Sequence, residues 1–267
     1  MKKILFQSDD YGITRGVSEG ILYSIQEGII RNTGLFVNME HSKWAAEKIK
    51  NLDVCLGIDI NYVAGMPVSN SIDIPHLVKE NGHFYSSSEQ NKRNNLIKLD
   101  GLVSYYEKDP YPYKEILLET ENQVKKFIEL IGRKPDYIHP HSLMTPNCVK
   151  AQIEVAKKYN IYSTLDLLNG NVCKELPGAI MNIKGMNLEN QLNAPIEKNL
   201  IENAIPSLQD EETGYYIFHC GYVDAELFKH SSLTLRRAID LEAATSKKII
   251  EYINENNIKL ITYKDYI

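Results

Sequence analysis

The chain predicts an α/β fold, an irregular TIM-like barrel of the (β/α)7–8 kind. Three observations carry that expectation. Short apolar runs alternate with amphipathic stretches along the whole chain, the pattern of a parallel sheet covered by helices. About seven or eight such units fit 267 residues as a barrel better than as an open doubly wound sheet. No Gly-x-Gly-x-x-Gly turn follows the first apolar run, which weakens any dinucleotide-binding alternative.

The elements follow in order. Ile4-Leu5-Phe6 reads as a short buried strand that runs into Gln7-Ser8-Asp9-Asp10-Tyr11-Gly12. Residues 14–27 read as a helix, with Val17, Ile21 and Ile25 on one face. Residues 33–39 are strand-like, 42–51 a short helix and 53–60 a third strand. The rhythm then breaks over about 61–110, where Gly65, Pro67, Pro75, Gly82 and Pro110 interrupt any pattern. A break this long inside one domain, here taken as 1–267, is expected to be a lid. One or two short helices are expected in it, around 91–98 and 102–106. Residues 113–131 form a long amphipathic helix stopped by Gly132, and 137–141 a brief strand end. Thr145 and Pro146 open the next helix as N-cap and first helical residue. Weak strands at 163–167 and 179–183, a helix over 188–205, a strand at 215–219, a helix over 236–256 and a strand at 260–262 complete the chain.

Composition excludes several partners. A net charge of −5 leaves no basic footprint for nucleic acid. No apolar run approaches the roughly 18 residues of a membrane span. Met1–Gln7 lacks a long apolar segment, so no secretory leader is expected. Four cysteines without Cys-x-x-Cys spacing read as reduced thiols, in keeping with a cytoplasmic location. A homodimer is the default assembly, although no interface stripe is legible.

The reactive residue types collect at predicted strand ends. Asp9 and Asp10 follow the first strand, Asp59 the third, His139 and His141 a later one, and His219 another. In a parallel barrel these ends converge on one face. Carboxylates and imidazoles brought together so suit metal-assisted hydrolysis, with Mg²⁺, Mn²⁺ or Zn²⁺ activating water. Asp9 or Asp10 has the chemistry to take the proton of water, and His219 to give one to a leaving group. Pro140 interrupts the strand between His139 and His141, so one of the two is expected to reach the ion.

These residues resemble the YdjC-like family of carbohydrate deacetylases over nearly the whole chain. Ser8-Asp9-Asp10-Tyr11-Gly12 followed by Gly16-Val17-Ser18-Glu19-Gly20-Ile21 is similar to that family's opening. Leu56-Gly57-Ile58-Asp59-Ile60-Asn61, Pro135 through His141 and His219-Cys220-Gly221-Tyr222-Val223-Asp224 resemble its later motifs, and Arg237, Asp240 and Leu241 its Arg-x-x-Glu-Leu. The resemblance implies an irregular barrel that removes an N-acetyl group from an amino sugar or small chito-type oligosaccharide with one divalent metal ion. It carries the metal ligands to Asp10 and His141. The third place, a histidine in the family, is Asp59 here, and His139 stands where the family has an aspartate. Leu143 and Thr145 occupy the places of further family histidines. The expected site is therefore Asp10, Asp59 and His141 on the ion, with His139 as a fourth ligand or supporting partner. Asp9 is the expected base and His219 the expected acid, and an Arg237–Asp240 ion pair is expected to orient the site. The exchange at 59 and 139 leaves two alternatives, a sugar-binding barrel without catalysis and a hydrolase of another bond.

Overall fold

The acids sit inside a strand rather than after it. In the computed structural model, which describes residues 1–100, 103–165, 173–179 and 187–266, β1 runs Lys3–Tyr11 and is buried from Ile4 onward. The first helices along the chain are α1 (Arg15–Gln26), α2 (Ser42–Ile49), α3 (Ser87–Arg93), α4 (Tyr113–Ile131) and α5 (Pro146–Tyr159). The further strands are β2 (Asn32–Leu35), β3 (Cys55–Ile60), β4 (Leu96–Asp100), β5 (Val103–Tyr106), β6 (Tyr137–Pro140), β7 (Tyr162–Ser163), β8 (Lys174–Glu175), β9 (Thr213–Phe218) and β10 (Lys259–Ile261).

Eight strands form one sheet in the order β7-β6-β3-β2-β1-β9-β8, with β10 pairing the start of β1. Every ladder in it is parallel. Among the described residues no ladder joins β7 to β8, so the barrel is an open, curled half-barrel. Side-chain contacts measure the curl. On a flat sheet β1 and β6 would stand roughly 14 Å apart, three strand spacings. Here Asp9 of β1 lies 3.3 Å from His139 of β6. Tyr263 likewise packs on Tyr137 of β6 at 4.2 Å while its hydroxyl reaches Gln7 of β1. On the other face of β1, Phe6, Tyr216 and Phe218 stack in the layer beneath the helices.

Several expectations change. The segment expected to hold one or two helices has α3 followed by the antiparallel pair β4–β5. Alternation in Leu96-Ile97-Lys98-Leu99-Asp100 suits a strand, and Asn94 leaves the helical region. The helix expected over 188–205 is broken at Pro195 into Leu188–Leu192, Ile196–Asn199 and a π turn at Leu200–Ala204. That over 236–256 is two helices, α6 (Leu235–Ala244) and α7 (Lys247–Glu255), because Ser246 caps the second by accepting from the Ile249 N–H. Of the strand expected at 163–167, β7 ends at Ser163 and 166–167 lie outside the described residues, as does most of the one expected at 179–183. Helix α5 begins as expected, with Thr145 accepting from Cys148 and Pro146 in its first turn. No helix among the described residues is long and apolar enough to cross a membrane.

Candidate active site

The end of β1 carries the site because its backbone breaks step there. The register with β2 shifts between Ser8 and Tyr11, and Asp10 takes a positive φ of 72°. That turn brings Asp10 to the same side as Asp9, which regular alternation would forbid. The Asp10 N–H donates to Asp59 Oδ2 at 2.9 Å, tying β1 to β3. Gly34 on the intervening β2 leaves the space this needs. A Cβ there would stand 1.7 Å from Asp59 Oδ1.

Two charge-paired groups result. Asp10 Oδ2 accepts from Arg237 Nη2 at 2.6 Å, and His141 Nδ1 lies 2.9 Å from Oδ1 in a contact without hydrogen-bond alignment. Burial alone would raise the Asp10 carboxyl, but His141 and Arg237 hold it well below the usual range. Burial works against charge on His141, and Asp10 overturns that and raises it. The second group centres on Asp9. Its Oδ2 lies 3.3 Å from His139 Nε2 and 3.9 Å from His219 Nε2, and its Oδ1 accepts from Gln7 Nε2. Asp9 is lowered too, against its burial, chiefly by His139. His139 places its other nitrogen 2.7 Å from Thr164 Oγ1. Asp59 behaves oppositely. Burial, then Asp9 and Asp10, push its carboxyl well above the usual range.

His219 is held from behind. Its backbone N–H donates to Asp240 Oδ2 at 2.9 Å, and burial pushes its imidazole down. The expected Arg237–Asp240 pair is therefore corrected. Arg237 reaches across to Asp10, and the neighbouring Arg236 pairs with Asp240 at 2.7 Å. Both spacings on α6 put an arginine within reach of Asp240, and Arg237 is taken up by Asp10, which leaves Arg236 for Asp240.

Asp59 and His139 are register partners on adjacent strands. The aspartate and histidine that look exchanged thus stand side by side, and both point into the site. His139 and His141 both enter it, one to each acid, so Pro140 does not turn either away. Sequence reasoning missed Gln7, Thr164, Tyr263, Arg236 and Gly34. Only Gln7 had a local signal, two residues before Asp9 on the same side of β1.

A divalent ion is consistent with the donor chemistry. Asp10 Oδ1 and Asp59 Oδ1 are buried and make no hydrogen bond. Two such oxygens beside an imidazole nitrogen are donors that Mg²⁺, Mn²⁺ or Zn²⁺ accepts. Among the described residues, however, no three His, Cys, Asp or Glu side chains already stand grouped as a metal centre.

A curled parallel half-barrel with acids and imidazoles at its strand ends defines the class. The profile of the YdjC-like proteins matches residues 3–255, and the chain belongs to that family. It is 26% identical to a carbohydrate deacetylase of Clostridium beijerinckii, over 98% of this chain and 99% of that one. It is 28% identical to a carbohydrate deacetylase of Thermoanaerobacter pseudethanolicus, over 98% of each chain. Its fold is similar to the crystal structure of a candidate cellobiose-phosphate cleavage protein from Enterococcus faecalis. That match has a TM-score of 0.76 at 20% identity and covers 99% of this chain and 98% of the other.

Proposed function

We propose that this chain is a hydrolase that deacetylates a carbohydrate, and that its substrate is an N-acetylated amino sugar or short chito-type oligosaccharide. One observation carries the reading. Both aspartates at the end of β1 are held ionised beside imidazoles, in a family whose full-length relatives are carbohydrate deacetylases.

The roles follow from position. Asp9 is the general base, since its Oδ2 stands between His139 and His219 and its lowered carboxyl stays ionised, the form that takes a proton from water. His219 is the general acid. Burial lowers its pKa and makes the protonated ring a readier donor to the leaving nitrogen. Asp10, Asp59 and His141 would hold a divalent ion, with His139 set aside as the partner of Asp9. Such an ion, when bound, would polarise the acetyl oxygen and acidify water. Arg237 would keep Asp10 ionised and in place. The segment at about 61–110 would act as a lid. It meets the rim through Ser87 and Ser142 at 2.6 Å and through the Ser104 N–H to the Met144 carbonyl at 2.7 Å.

Acetate release from N-acetylglucosamine, its β-1,4-linked dimer and an acetylated xylose ester, each with added Mg²⁺, Mn²⁺ or Zn²⁺, tests the proposal. Release from the amide substrates, lost in Asp9→Asn, is expected. Release from the ester alone would move the substrate to an O-acetylated sugar. The exchange of Asp59 and His139 supports a second reading, a sugar-binding barrel without catalysis. It would show as saturable binding of the dimer with no acetate from any substrate.

A further inference from the structure

We infer that Gln7 and Tyr263 are positioning residues that fix which oxygen of Asp9 faces the reaction, an inference that rests on the deacetylase reading above. Gln7 Nε2 donates to Asp9 Oδ1, and Gln7 Oε1 accepts from the Tyr263 hydroxyl at 2.5 Å. Gln7 and Tyr263 are both fully buried, so neither touches substrate.

The direction of this chain is set at its far end. A carboxamide has one donor end and one acceptor end, and nothing in its shape chooses between them. The Tyr263 hydroxyl chooses. Burial keeps the phenol protonated, so it donates, and Oε1 must turn toward it. The amide then presents Nε2 to Asp9. Were it reversed, Oε1 would face a carboxylate oxygen with no proton between them.

Tyr263 is itself locked. Its N–H donates to Asn32 Oδ1 at 3.0 Å, and its ring packs on Tyr137 at 4.2 Å and Tyr162 at 5.8 Å. With Oδ1 occupied from below, Oδ2 is the oxygen left between His139 and His219. A residue at the end of the chain thus orients an acid near its beginning.

The test is acetate release by the full chain carrying Tyr263→Phe, Gln7→Met and both together. Tyr263→Phe keeps the ring and its packing, and thermal melting checks that it folds. Each single variant is expected to lower kcat by about 10- to 100-fold with KM unchanged, the cost of a misaligned reacting group. The double variant should lose no more than the worse single one, because both act through one chain on one carboxylate. An unchanged kcat in Tyr263→Phe, or losses that multiply, would overturn the inference while leaving the deacetylase reading intact. A wild type that releases acetate from no substrate would overturn the deacetylase reading and this inference with it.

Discussion

Asp10 is the residue on which the site's charges turn. It pairs with Arg237, which is 1% exposed, so removing the carboxylate strands a buried guanidinium. Breaking one side of such a pair costs about 3–5 kcal/mol. Asp10→Ala should therefore lower the melting temperature as well as abolish turnover, whereas Asp9→Asn should abolish turnover with a smaller loss of stability. Calorimetry of the two variants separates them, and equal stabilities would contradict the assigned pairing. The acids and histidines themselves were legible in the sequence, because strand ends in a parallel sheet converge whatever their order. Their partners were not. Arg237 lies 227 positions from Asp10, and Tyr263 256 from Gln7. Only the curl of the sheet brings them together.

At the scale of elements, β2 serves the site by what it lacks. Gly34→Ala would force Asp59 aside, an overpacking that costs about 1–3 kcal/mol. The expected result is lower stability and lost activity, while alanine at Gly132, which has open space around it but a φ of +84°, should cost stability and spare activity. Helix α4 serves by anchoring the start of the 61–110 segment. Its buried Glu119 accepts from the Val68 and Ser69 N–H groups at 3.0 and 2.8 Å. Burial raises the Glu119 carboxyl despite these bonds. A raised acid favours the fold while protonated, so its contribution is full below the unfolded value of about 4.3 and declines as pH rises from there to the folded value. Urea unfolding from pH 4 to 7 should show a shallower decline in Glu119→Gln than in the wild type, the remainder belonging to Asp59, whose carboxyl burial also raises; the same slope in both would remove Glu119 as a source. Helix periodicity marked α1, α4 and α5 well in the sequence. It overran at 188–205 and 236–256, where apolar spacing continues across Pro195 and across the Ser246 cap. It also took the antiparallel β4–β5 pair for helix, since runs that short fit either period.

At the scale of the molecule, the open parallel half-barrel gathers residues from both ends of the chain into one buried site. The neighbouring strands β3 and β6 hold Asp59 and His139 side by side, so the apparent exchange keeps one carboxylate and one imidazole in the same place. This is the reason to expect that the deacetylase chemistry persists, with a donor set richer in oxygen and an ion of the harder kind, Mg²⁺ or Mn²⁺. The most direct measurement is acetate release from the N-acetylglucosamine dimer by protein stripped with EDTA, before and after Mg²⁺, Mn²⁺ or Zn²⁺ is returned, beside Asp59→Asn. Activity that vanishes on stripping, returns with Mg²⁺ or Mn²⁺, and fails to return in Asp59→Asn is the predicted result. Full activity in the stripped protein, or no acetate under any condition, would contradict the account.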